Sequence, residues 1–134
     1  MKRLHFIIAF IIGLFIAACS SSKNIDYNNK NEEPVVIAND SLEYEIIIID
    51  PGFTYYLNAI AKPEGFYSQT YLENKNRFYV PVWNYRASNP LQFNPNIYEN
   101  VIDYSPNIDY GYEVNYKLFN YFKFAEQKYR MRLR

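Results

Sequence analysis

The sequence predicts a small α+β domain, with a two- or three-stranded sheet packed by three to four helices and a long helix at the C-terminus. Three observations predict it. Leu42 to Ile46 alternates polar and apolar residues and then runs into solid isoleucine through Ile49, which reads as a strand. Apolar residues recur at helical spacing from Phe53, from Tyr71 and from Gly111. Between Ser20 and Glu33 the chain holds almost nothing that could build a core, so the folding unit spans residues 34–134.

Residues 1–18 read as a lipoprotein signal peptide. Met1-Lys2-Arg3 is positive, Phe6 to Ile16 is apolar, and Ala17-Ala18 are small. A membrane-crossing helix needs about 20 apolar residues, and this run is shorter. Ile16-Ala17-Ala18-Cys19 fits the site cut by a lipoprotein signal peptidase, with the lipid carried on Cys19. Cys19 is the only cysteine, so it cannot pair within the chain. The competing reading is an unmodified thiol in an ordinary secreted protein. One acyl chain anchors weakly and two or more anchor stably.

Residues 19–33 then comprise the lipidated cysteine and a flexible tether. The stretch from Ser20 is polar and cannot offset its own ordering entropy. As a coil its ends would sit roughly 20 Å apart, just off a bilayer. No dense acidic run follows Cys19. The expected location is the cell envelope, anchored to the outer membrane and facing the periplasm.

Pro34-Val35-Val36-Ile37 suits a short edge strand, and Asn39-Asp40-Ser41 a turn. Leu42 to Asp50 is the main strand, with both faces buried at its isoleucine end. Asp50-Pro51-Gly52-Phe53 stops it, because Pro followed by Gly fits a type II turn. Phe53, Tyr56, Leu57 and Ile60 make one face of a short helix, ended by Lys62-Pro63-Glu64-Gly65. Thr70 and Glu73 are spaced as a capping box for the next helix. Its stripe is Tyr71, Leu72, Lys75, Phe78, Tyr79, Val82, Trp83 and Arg86, with Pro81 kinking it or dividing it in two. The β-branched and aromatic content of Arg77 to Tyr85 also suits a strand, but the spacing favours helix.

Asn89-Pro90, Asn94-Pro95 and Ser105-Pro106 mark loops and turns. Asn94 and Ser105 each stand before Pro-Asn-Ile, as caps of one-turn starts. Tyr98 to Tyr104 is the expected second strand, pairing with the isoleucine strand. Asp109 to Met131 reads as the longest helix, with a stripe of Gly111, Val114, Leu118, Phe122, Ala125 and Tyr129. Asp109 and Glu113 at its start and Lys128, Arg130, Arg132 and Arg134 at its end complement the helix dipole. The basic end could also meet anionic headgroups, but a capped, solvated helix end explains it more simply.

Three blocks carry a resemblance. They are Glu43-Tyr44-Glu45-Ile46-Ile47 with Asp50-Pro51-Gly52-Phe53, Tyr67-Ser68-Gln69 with Tyr71 to Asn76, and Asn107 to Tyr116. Together they resemble a family of uncharacterised small lipoproteins from Bacteroidota-type bacteria, a domain of unknown function, over about Leu42 to Tyr129. The resemblance implies the anchor and the envelope location. It implies no activity, ligand or catalytic residue.

Removal of the signal leaves little for catalysis to use. It takes away His5, the only histidine, together with Lys2 and Arg3, which leaves a slight acidic excess. Ser-His-Asp triads, Cys-His dyads and His/Cys zinc sites are excluded for the mature chain. No metal and no cofactor is expected, and without a basic excess no nucleic acid partner. Asp50, Asp103, Asp109 and Glu113 are the carboxylates that could do acid–base work. Glu73 and Arg77 are spaced for a surface ion pair.

Tyrosine is abundant, at 15 residues, and asparagine accompanies it. Aromatic rings flanked by amides suit sugar faces and hydroxyls. Trp83 and Arg86, one helical step apart, are the candidate ligand-binding pair, through a cation–π contact or a shared recognition surface. The simpler reading puts Trp83 in the core. The functional expectation is therefore a non-enzymatic structural or interaction module. It would be held at the membrane by Cys19 and would act on another envelope protein. The alternative is a module that binds glycan or peptidoglycan fragments.

Overall fold

A computed structural model describes residues 33–134. The predicted signal peptide, Cys19 and the predicted tether up to Glu32 lie outside the described residues. The order is β1 (Val35–Asn39), one turn of 3-10 helix (Asp40–Leu42), β2 (Tyr44–Ile48), α1 (Phe53–Ala59), α2 (Gln69–Ala87) and α3 (Gly111–Lys128). This is the predicted α+β domain, with a two-stranded sheet and three helices.

The sheet is a hairpin. β1 and β2 run antiparallel from Val35 opposite Ile48 to Asn39 opposite Tyr44. Asn39 makes the turn, its Oδ1 accepting from the Ser41 N–H at 3.0 Å. Glu43 closes it in the left-handed region, at φ 51°. The partner of the isoleucine strand is thus Val35–Asn39, and Tyr98 to Tyr104 forms no strand. Nor are both faces of β2 buried. Ile46 and Ile48 point into the core, while Ile47 is 54% exposed and Ile49 beyond it 75%. One layer of helices cannot cover a sheet on two sides, so alternation prevails even within the isoleucine run.

Gly52 turns the chain into α1 at φ 95°, and the Phe53 N–H donates to the Asp50 carbonyl at 3.1 Å. That is the type II geometry predicted for Asp50 to Phe53. α2 is one helix of 19 residues through Pro81. Arg77, the residue whose carbonyl Pro81 cannot serve, lies exposed alongside it, where water can substitute. The cap is Ser68 rather than Thr70, with Oγ accepting from the Tyr71 N–H at 3.2 Å. Glu73 instead accepts from Gln69 Nε2 at 2.8 Å. The buried row of α2 is Leu72, Asn76, Val80 and Trp83, whereas Phe78 is 74% exposed.

At Asn94 and at Ser105 the chain makes the same turn twice. The side-chain oxygen accepts from the N–H two residues on, at 3.0 and 3.4 Å. The carbonyl accepts from the N–H three residues on, at 3.0 and 3.2 Å. These are turns, and no helix starts at either. The segment between them is tied down by α2. Trp83 Nε1 donates to the Asn100 carbonyl at 2.9 Å. Asn84 gives its Nδ2 to the Ile102 carbonyl and takes the Ile102 N–H, both at 2.8 Å.

α3 has 18 residues, one fewer than α2, so it is not the longest helix. It is the centre of the domain, with ten of its residues buried and β1, α1 and α2 packed around it. A stripe could not suffice at that position, and the helix is apolar on most sides. Its buried Asn115 accepts from Asn76 Nδ2 at 3.1 Å and from the Tyr104 hydroxyl at 2.8 Å. The helix stops at Lys128, short of Met131, because Arg130 turns left-handed at φ 51°. The tail folds back, with Leu133 buried and its N–H donating to Glu126 Oε1 at 2.9 Å. Among the described residues no helix is long and apolar enough to cross a membrane.

Candidate functional site

A concavity opens along β2. Ile46, Ile47, Ile48, Ile49 and Asp50 all line it. Side chains of a strand alternate between its faces, so consecutive residues share a wall only along the backbone edge. The slot encloses about 170 Å³. Its other wall is Asn96, Glu99, Asn100 and Ile102, and Trp83 and Tyr121 form its floor.

A charged cluster closes one end. Asp50 pairs with Lys128 Nζ at 2.5 Å, and Nζ also donates to the Pro51 carbonyl at 2.8 Å. The Tyr129 hydroxyl donates to Asp50 at 2.9 Å. Burial, reinforced by the Asp50 carboxylate, pushes Tyr129 above the usual phenol range. Tyr121 is pushed up in the same way, by burial first and then by Asp50. Both oxygens of the Asp50 carboxylate thus have partners within the protein.

Burial first, then Tyr110 and Asp103, raises the Tyr44 phenol at the start of β2. The segment predicted as a strand lines the slot opposite β2 without pairing to it.

Trp83 and Arg86 are not brought to one cavity. Trp83 is 2% exposed, and Tyr98, Tyr121 and Phe122 surround its ring at centroid distances of 4.9 to 5.8 Å. Arg86 donates to the Tyr98 hydroxyl and to the Arg132 carbonyl, each at 2.7 Å, and sits over the rings of Phe93 and Tyr98. Trp83 faces the slot, whereas Arg86 borders a separate cleft with Pro81, Tyr85, Phe93 and Arg134.

The candidate carboxylates are dispersed. Asp50 is in the slot, Asp103 is exposed, and Glu113 pairs with Lys117 at 2.7 Å. Asp109 does meet a second carboxylate, Glu73, since both accept from Gln69 Nε2 at 2.8 Å. Asp109 is open to solvent. Arg77 does not pair with Glu73 but donates to the Pro106 carbonyl at 3.0 Å. Among the described residues no group of three His, Cys, Asp or Glu could hold a metal.

Sequence reasoning missed the slot's amide and carboxylate wall, Asn96, Glu99 and Asn100. Its only signal was a strand-like segment, Tyr98 to Tyr104, between two proline turns. Residues 5–134 match the Family of unknown function (DUF6146). No curated protein and no solved structure matches the chain.

Proposed function

The chain belongs to this family of unknown function, and on that premise we propose that it is a membrane-anchored envelope lipoprotein of the Bacteroidota type. It acts as a non-enzymatic interaction module for another envelope protein. The family match begins at residue 5 and so takes in the apolar leader, Ile16-Ala17-Ala18 and Cys19. That supports reading the leader and cysteine as part of what the family shares. The outer membrane, facing the periplasm, is the proposed location.

One observation carries the interaction reading. Val36 and Ile47, directly paired across the sheet, are exposed, and so are Ile49 and Val101. Exposed apolar surface of this kind, beside an open slot and rimmed by Glu45 and Glu99, suits a protein partner. The glycan-fragment reading stands second. The slot does offer Asn96 and Asn100, but a sugar needs an open ring face to stack on, and Trp83 presents none.

Fatty-acid labelling of cells expressing the full chain tests the anchor. The wild-type protein should take label, and Cys19→Ala should lose both the label and cleavage at that site. Normal processing and lipidation of Cys19→Ala would overturn the anchor. Crosslinking in intact cells followed by purification tests the module. A single envelope protein at stoichiometric yield supports it, and recovery of the chain alone counts against it.

A further inference from the structure

We infer that the open edge of β2 accepts an added strand, an extended peptide segment of the partner carrying basic side chains. The inference rests on the interaction-module reading and specifies how it works.

The main chain leads to it. In an antiparallel pair, every second residue directs its N–H and C=O away from the partner strand. Among the described residues, the backbone of Glu45 to Ile49 makes no hydrogen bond except those to β1. The other edge of the sheet is not free in this way, since α3 packs on β1 and Lys117 Nζ donates to the Val36 carbonyl at 3.2 Å. Natural edge strands are guarded by proline, charged side chains, a bulge or a covering element. Tyr44-Glu45-Ile46-Ile47-Ile48 has no proline and no bulge in its register, and its one charge, Glu45, is acidic and repels no basic partner. The nearest covering segment, Asn96 to Ile102, leaves the slot between itself and the edge. That segment is pinned to Trp83 and Asn84, so the gap is already formed.

A row of unpaired amides is matched by another peptide backbone, which gives affinity, while alternate side chains give selectivity. Inward side chains of the added strand would enter the cavity over Trp83, Tyr121 and Ile102, with Asn96 and Asn100 on its far wall. The charge around the slot selects the rest. Glu45, Glu99 and Asp103 are exposed carboxylates, while Lys128, the cation lining the slot, is taken up by Asp50. Basic residues complement that rim. A second copy of the chain fits worse, because a two-fold contact sets a patch against itself and would face these carboxylates with their own copies.

The test is fluorescence polarisation with the full, lipidated chain in detergent micelles. The probe is a labelled nine-residue peptide of alternating valine and lysine. It should bind saturably. The same peptide N-methylated at every second residue keeps its side chains but loses the pairing edge, and should bind at least about tenfold more weakly. Glu99→Gln with Asp103→Asn should weaken the parent peptide about threefold or more. Phe78→Ser, on the far face of α2, should leave binding unchanged. Equal binding of the N-methylated peptide would overturn strand addition. So would sedimentation showing a dimer that the peptide fails to dissociate. If no peptide binds while the cellular partner is still recovered, the edge inference fails and the interaction module stands.

Discussion

The Asp50 carboxylate accepts from two residues, Lys128 and Tyr129, and the Lys128 ammonium also donates to the Pro51 carbonyl. It thereby ties the end of the sheet to the end of α3. The side chains of the pair retain 11% and 17% of their exposure, so removal of one partner strands a poorly solvated charge. Asp50→Ala should lower the stability of the full chain by about 3 kcal/mol in urea unfolding, and Asp50→Leu with Lys128→Met should recover part of it. A loss below about 1 kcal/mol would place the pair with ordinary surface ion pairs. Asp50 was legible as a strand terminator from Asp50-Pro51-Gly52. Its partner was not legible, because Lys128 lies 78 residues away and nothing in a local pattern selects it.

At the scale of elements, local chemistry predicted more than local hydrophobicity did. The hairpin turn at Asn39, the type II turn at Gly52 and the proline turns at Asn94 and Ser105 follow from side chains that bond their own backbone. Apolar patterns misled in two places. The isoleucine run suggested a strand buried on both faces, but one side of the hairpin faces solvent. Tyr98 to Tyr104 has strand composition, yet Asn84 occupies the backbone groups of Ile102. The cap of α2 is a sharper case, because Thr70 and Ser68 both precede the helical spacing and only geometry chooses between them. Ser68→Ala should cost about 1 kcal/mol and Thr70→Ala much less, by thermal or urea unfolding. The reverse order would restore the Thr70 capping box.

For the whole molecule, α3 explains why the fold class was readable and the site was not. A central helix with ten buried residues announces itself by aromatic density. The same density makes tyrosine and tryptophan poor markers of a binding surface, since most of those rings fill the core around α3. What distinguishes the slot is a backbone edge left unpaired, and backbone pairing across 50 residues of chain has no composition. Val36 and Ile47 pair on the exposed face of the hairpin, and Ile49 and Val101 are exposed as well, so the exposed apolar residues come from three separate stretches. The molecule reads as a compact support for that face, held near a membrane by a lipid proposed on Cys19.

The most direct measurement places a photoreactive benzoyl-phenylalanine at single positions of the full chain in living cells. Ile47 and Val101 report on the slot face, and Phe78 and Tyr85 on the opposite side of α2. Irradiation should join Ile47 and Val101 to one and the same envelope protein and leave Phe78 and Tyr85 uncoupled to it. Adducts from Phe78 and Tyr85 alone, or none from any position, would contradict an interaction module acting through the edge of β2.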